Sequence, residues 1–278
     1  MKKYFYSLLT AVALVGFTSC DDTQEEPHIQ WYPVVTIDGP SEYQIELGDS
    51  FTVPGFKAVN TLTGEDASSA VTVSIYDVIA GEYVDAVSTA SPGIYNIYYT
   101  SAASEVQPSS DYDIYKQVDV YVYDPTVTSD ISGTWMVNVD DSYRVRYAGA
   151  NAGQTLSFAA VAEANENNIS AGIPVNFSQI VPGFYYVDDI EAGLVTMLYG
   201  YAAAYPSYNF QMHAYVSLDS DNKLTVLTNT FGYSYWATNY ALTGFNGEYD
   251  PANDVIKYQA DLGNQGFYLD VVLEQPNE

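Results

Sequence analysis

The sequence predicts an all-β chain built from two modules, and three observations carry that expectation. Apolar residues recur with a period of two, turn-forming clusters separate the alternating runs at short intervals, and no amphipathic helical pattern of about ten residues or more is present. In chain order, Val71, Val73 and Ile75 alternate with Thr72, Ser74 and Tyr76, and Val118, Val120 and Val122 alternate with Asp119, Tyr121 and Tyr123. Phe210, Met212, Ala214, Val216 and Leu218 then fall on one face of a run, and the segments 223–228, 255–262 and 267–273 repeat the pattern. Asp219-Ser220-Asp221-Asn222 and Gly263-Asn264-Gln265-Gly266 supply turn chemistry between them. The best helical candidate is Leu156 to Asn165, where an Ala-rich stretch favours helix and the following Asn cluster limits it to a short helix or a loop. Many short strands with frequent turns mean sandwiches or barrels.

Composition bounds the class. The chain has 278 residues, 47% of them hydrophobic, enough for two cores of ordinary size. The formal charge is −27, from 8 Lys and Arg against 35 Asp and Glu. Nucleic acid and anionic lipid headgroups are disfavoured as partners, because both require basic patches that so few cations cannot form. Tyrosine departs furthest from ordinary usage, with 28 copies beside 11 Phe and 3 Trp. A turn-rich stretch, Asp124-Pro125-Thr126-Val127-Thr128-Ser129-Asp130, divides the chain. The expected organisation is a leader at 1–19, a tether at 20–33, a first β module at 34–124, a linker at 125–130 and a second β module at 131–278.

At the N-terminus Lys2 and Lys3 precede an apolar run from Leu8 to Phe17, the pattern of a signal peptide and too short to span a membrane. Phe17-Thr18-Ser19-Cys20 follows and resembles the bacterial lipobox, which implies that Cys20 carries a diacylglyceryl group. Cys20 is the chain's one cysteine, so a disulfide within the chain is excluded. The stretch Asp21-Asp22-Thr23-Gln24-Glu25-Glu26-Pro27 cannot pack and resembles the acidic export signal of Bacteroidetes-type surface lipoproteins. That resemblance implies a protein anchored in the outer membrane through its lipid and displayed on the exterior.

Two further resemblances concern the fold. Leu47-Gly48-Asp49, Ala58, Pro92-Gly93-Ile94-Tyr95 and the closing Val118 to Val122 strand are similar in order to the Ig-like domains of bacterial surface proteins, which implies an N-terminal β-sandwich. From Ser132-Gly133-Thr134-Trp135 through Pro182-Gly183-Phe184-Tyr185 to Gly247-Glu248-Tyr249-Asp250, the second module resembles the lipocalin-like or barrel-like domains that follow such modules in Bacteroidetes lipoproteins, some of them associated with glycan uptake. This implies an antiparallel barrel or sandwich, with Trp135 plugging one end. The length of inserted loop departs from ordinary lipocalins and weighs against a closed eight-stranded calyx.

Catalytic and metal signals are thin. His28 and His213 form no pair to hold zinc, and no Gly-x-Ser-x-Gly elbow accompanies His213, which reads as a half-exposed sheet residue. Asp219, Asp221 and Asn222 put oxygens on one turn, as do Asp188, Asp189 and Glu191. Neither follows the EF-hand spacing, and solvated turns account for both, so no metal or other cofactor is expected. Glycoside hydrolysis needs two carboxylates at a set separation, and the sequence names no such pair. The chain is therefore read as no enzyme, with a glycosidase as the third alternative.

The remaining signal is aromatic. Tyr199, Tyr201, Tyr205 and Tyr208 lie in one segment and Tyr233, Tyr235 and Trp236 in another, with Tyr240 close behind. Sugar rings stack their C–H faces on Tyr and Trp, so loops carrying these seven rings suit a glycan. Gly200 and Gly232 would let the backbone turn so that flanking rings face one side. The competing reading is that each tyrosine packs a sheet. Two functions follow as expectations: a non-catalytic glycan-binding surface lipoprotein, or a structural lipoprotein docking to an outer-membrane protein partner.

Overall fold

The computed structural model describes residues 33–60, 63–101 and 115–276. The leader, Cys20 and the acidic tether lie outside the described residues. Among those described, no helix is long and apolar enough to cross a membrane.

The first module is a β-sandwich of two sheets. One pairs β1 (Pro33–Ile37) antiparallel with β3 (Phe56–Asn60). The other contains β2 (Glu42–Glu46), β4 (Val71–Asp77), β5 (Glu82–Val84), β6 (Gly93–Ser101) and β7 (Tyr115–Tyr123), in the order β2-β7-β6-β4-β5, with β2 parallel to β7. Alternation in β7 does what the sequence requires: Val118, Val120 and Val122 are all fully buried, facing Val35 and Ala58 of the opposite sheet. In β4 the alternation is weaker, because Val73 stays 38% exposed. The Tyr99 hydroxyl donates to the Pro54 carbonyl at 2.8 Å, and Tyr95 donates to Ser88 O at 3.3 Å, fixing the Pro92-Gly93 corner.

The second module is a closed antiparallel barrel of eight strands. They run β8 (Gly133–Val137), β11 (Pro174–Val181), β12 (Phe184–Val187), β13 (Met212–Leu218), β14 (Lys223–Phe231), β15 (Gly244–Asp250), β16 (Val255–Leu262) and β17 (Phe267–Glu274), and β17 returns to β8. This corrects the expectation against a closed eight-stranded form. The inserted chain does not interrupt the barrel, since it enters between β12 and β13, which still pair through Phe184↔Ser217 to Val187↔Ala214. Closure needs little chain, because Leu273↔Val137 and Glu274↔Met136 complete the ring while the first half of β17 pairs with β9 (Tyr143–Arg146). Beyond β9 lies β10 (Thr155–Ser157).

The lumen is a packed core. Met212, Ala214, Val216 and Leu218 of β13 point inward, as do Ile256, Tyr258, Ala260 and Leu262 of β16 and Leu269, Val271 and Leu273 of β17. Trp135 is 1% exposed, its indole N–H donating to Ile131 O at 2.8 Å. Helix α1 (Phe158–Ala164) forms where the Ala-rich stretch predicted it and drives Phe158, Val161 and Ala162 into the same core.

One junction is splayed. Strand β14 pairs with β15 only through Lys223↔Glu248, which also form an ion pair, and Leu224↔Gly247. Past that point the two strands are not paired, and the segment between them folds back so that Tyr240 stacks on Phe231 at 5.3 Å. The aromatic segments are gathered at this opening.

Candidate functional site

The site is built from the β12–β13 insertion and the β14–β15 connection. The insertion is pinned at both ends by one side chain: Asp189 accepts from the Glu191 and Gly193 N–H groups at its start, at 3.3 and 3.1 Å, and from the Met212 N–H at its end, at 3.3 Å. Ile190, Ala192, Leu194, Val195 and Leu198 then bury, and a π-helical turn over Leu194–Leu198 delivers Tyr199. Gly200 follows with φ +71°, a left-handed conformation in which a Cβ would also meet the Asn167 amide at 2.4 Å. The short helix α2 (Tyr201–Ala204) and a turn place Tyr205 and Tyr208. Gly232 acts differently from expectation. Its φ is not left-handed, and it serves by close approach, since a Cβ there would sit 2.6 Å from Asn209 Cγ.

All seven predicted rings join one cluster, organised by a residue assigned from its spacing only to a strand face. Phe210 is 2% exposed and touches Tyr201, Tyr205, Tyr208, Tyr233 and Trp236, with ring centroids 5.1 to 6.4 Å away. Tyr208 stacks on Tyr233 at 4.3 Å, Tyr201 meets Trp236 edge-on at 5.1 Å, and Tyr199 and Tyr235 extend the cluster through Tyr201 and Tyr233. The rings are not equivalent. Tyr205, Tyr208 and Tyr235 are 49%, 46% and 77% exposed, whereas Tyr199, Tyr201, Tyr233 and Trp236 are half-buried beneath them. The Tyr199 hydroxyl accepts from Arg144 Nη1 at 2.9 Å, and partial burial beside Tyr208 raises the Tyr233 phenol above its usual range. The signal that could have found Phe210 was its position directly after Tyr205-Pro206-Ser207-Tyr208-Asn209.

Below this surface lies a pair of buried acids. Burial pushes the Asp189 carboxyl up to about 7 despite its three N–H donors. Glu191 is fully buried, neither of its carboxyl oxygens has a hydrogen-bond partner, and burial with Asp189 nearby drives it well above the carboxylate range. The Tyr258 hydroxyl is likewise buried and unpartnered, raised by burial and then by the same two acids. This overturns the solvated-turn reading of Asp189 and Glu191. Asp219, by contrast, caps an exposed turn, accepting from the Asp221 and Lys223 N–H groups at 2.9 and 2.8 Å. His213 is half-buried, stacked on Tyr186 at 5.7 Å. Among the described residues, no group of three or more His, Cys, Asp or Glu is placed to hold a metal ion.

Residues 124–275, more than half of the chain, match the family model of a “-like, C-terminal domain”. The chain belongs to this family. The matched span runs from the segment before the barrel almost to the end of the described chain, so both aromatic segments and the buried acids fall inside the family domain. Among solved structures, the chain is similar to the lipoprotein BT2262 from Bacteroides thetaiotaomicron, with 23% identity over 87% of this chain and 100% of that one and a TM-score of 0.39. No curated protein matches.

Proposed function

We propose that this chain is a lipid-anchored protein of the outer cell surface whose barrel domain binds glycan without catalysis, as a component of a polysaccharide-uptake system. One observation carries the reading: rings from two separate loops converge on Phe210 and leave Tyr205, Tyr208 and Tyr235 outward. Packing explains the lower layer of rings, but it does not explain why Tyr205, Tyr208 and Tyr235 keep 49%, 46% and 77% of their surface exposed, because the exposed part of an aromatic gains little from folding. A sugar's C–H face recovers that contact area. Side chains able to hydrogen-bond its hydroxyl groups border the rings, among them Ser207, Asn209, Ser234 and Asn239, all exposed. The non-catalytic part of the reading is supported by access: Asp189 and Glu191 have raised pKa values but are 3% and 0% exposed, and a glycosidase needs both carboxyls against its substrate.

The test is affinity electrophoresis of the mature chain through gels containing polysaccharide. Retardation is expected, and each of Tyr205→Ala, Tyr208→Ala and Tyr235→Ala should weaken it by about 2- to 10-fold, the worth of one ring stack. Migration unchanged by every polymer, or unchanged by the triple variant, would sink the reading.

A further inference from the structure

We infer that the aromatic face selects uncharged polysaccharide and rejects uronic and sulfated polymers. The inference rests on the glycan reading above and names the ligand's class. It comes from where charge is missing. In a chain with 35 acidic and 8 basic residues, no Asp, Glu, Lys or Arg occurs from Ala192 to Leu218 or from Leu224 to Gly247, and His213 is the only histidine in either stretch. These two stretches are the ones that fold together into the ring cluster.

Two charges that approach the lower layer of the cluster, Arg144 and Glu191, are engaged or enclosed. Arg144 is 7% exposed and directs one guanidinium nitrogen to the Tyr199 hydroxyl and another to Gln154 Oε1 at 3.4 Å. Glu191 is fully buried. Among the described residues, the cations that meet an aromatic ring are Arg144 over Tyr199 and Arg146 over Phe267, so none is placed against Tyr205, Tyr208 or Tyr235 for a carboxylate or sulfate to pair with. Recognition of such groups relies on Arg or Lys donors, which this face omits. The surrounding surface adds a second obstacle, since a strongly negative protein repels a polyanion over a distance set by ionic strength. What the face does offer is apolar ring area bordered by neutral amides and hydroxyls, which matches a hexose or pentose chain carrying only hydroxyl groups. A lipid headgroup layer would also meet Tyr and Trp, but the exposed amides and hydroxyls that flank these tyrosines in the chain favour a polyhydroxylated ligand.

The test runs the mature chain through gels containing neutral polymers (xyloglucan, a mixed-linkage β-glucan and a mannan) or acidic ones (polygalacturonate and heparin), each at low and high salt. Zwitterionic phosphatidylcholine vesicles are examined in parallel by flotation, with a Cys20→Ser chain lacking residues 1–19 so that no lipid anchor contributes. The expected result is retardation by a neutral polymer, unchanged by salt and weakened about 2- to 10-fold in Tyr235→Ala, with none by the acidic polymers. Acidic polymers retarding the protein as strongly as neutral ones at high salt would overturn the selectivity and leave the glycan reading in place. Failure of every polymer, with or without vesicle binding, would overturn both.

Discussion

Glu191 buries a carboxyl group with neither oxygen hydrogen-bonded, a costly arrangement unless the group stays protonated. Its folded pKa is raised, so the sign of the linkage is set. Below the unfolded value both states hold the proton and no pH-dependent cost arises; above it the unfolded chain releases a proton that the folded chain keeps, and stability falls until pH passes the folded value. For Asp189 that window runs from the ordinary value of 3.8 to about 7, and for Glu191 it begins at 4.5 and extends upward. A tenfold change in proton affinity on folding is worth about 1.4 kcal/mol. We therefore expect the melting temperature to drop between pH 5 and pH 8 and the drop to shrink by several degrees in Glu191→Gln, which cannot ionise. Parallel profiles for the two proteins, measured by calorimetry, would show that Glu191 contributes nothing. The sequence concealed this residue. Asp188-Asp189-Ile190-Glu191 has the look of a wet turn, and only the apolar residues after it, Leu194, Val195 and Leu198, hint that the chain is drawn inward.

Single elements show which parts of the fold alternation can and cannot reveal. Strand β16 spans the residues that the pattern assigned, and its inward face was legible because Ile256, Tyr258, Ala260 and Leu262 alternate with the polar or charged Lys257, Gln259 and Asp261. The same pattern could not say that β17 closes on β8, because period two identifies a strand's inner face and not its neighbour. The seam nevertheless depends on a legible residue: Leu273 is fully buried and opposes Val137. Leu273→Ala should destabilise the barrel by about 2–5 kcal/mol, the usual cost of a cavity at a buried leucine. Helix α1 offers a milder comparison. Ser157 caps it, its hydroxyl accepting from the Ala160 N–H at 3.2 Å, and Ser157→Ala should cost about 1 kcal/mol. Urea unfolding checks both, each appearing as a lower midpoint at unchanged slope, with the larger shift at the seam. The clustering of the rings was legible in membership and not in layering: sequence proximity singled out seven rings, but which three face outward depends on Phe210 filling the centre.

Over the whole molecule, charge decides what can hold the protein to a cell. With a formal net charge of −27, the chain is repelled by an anionic lipid surface, so electrostatic adsorption opposes attachment. Acylation at Cys20, which the lipobox resemblance implies, would reverse the balance, because each buried CH₂ would contribute about 0.8 kcal/mol and two or three chains exceed what a single, marginal one provides. Wild-type protein expressed in a lipoprotein-processing host should sediment with membranes through a high-salt wash and release only in detergent. The mass of its N-terminal peptide should begin at Cys20 with the lipid attached. Cys20→Ser made without residues 1–19 should leave the protein in the soluble fraction, because the lipid proposed to hold it is then absent. If Cys20→Ser instead stays with salt-washed membranes and polysaccharide binding is intact, a partner protein holds the chain there. The anchor would then be an interface, and the second reading, docking to an outer-membrane protein, would take over the assignment of location while the aromatic face kept its ligand.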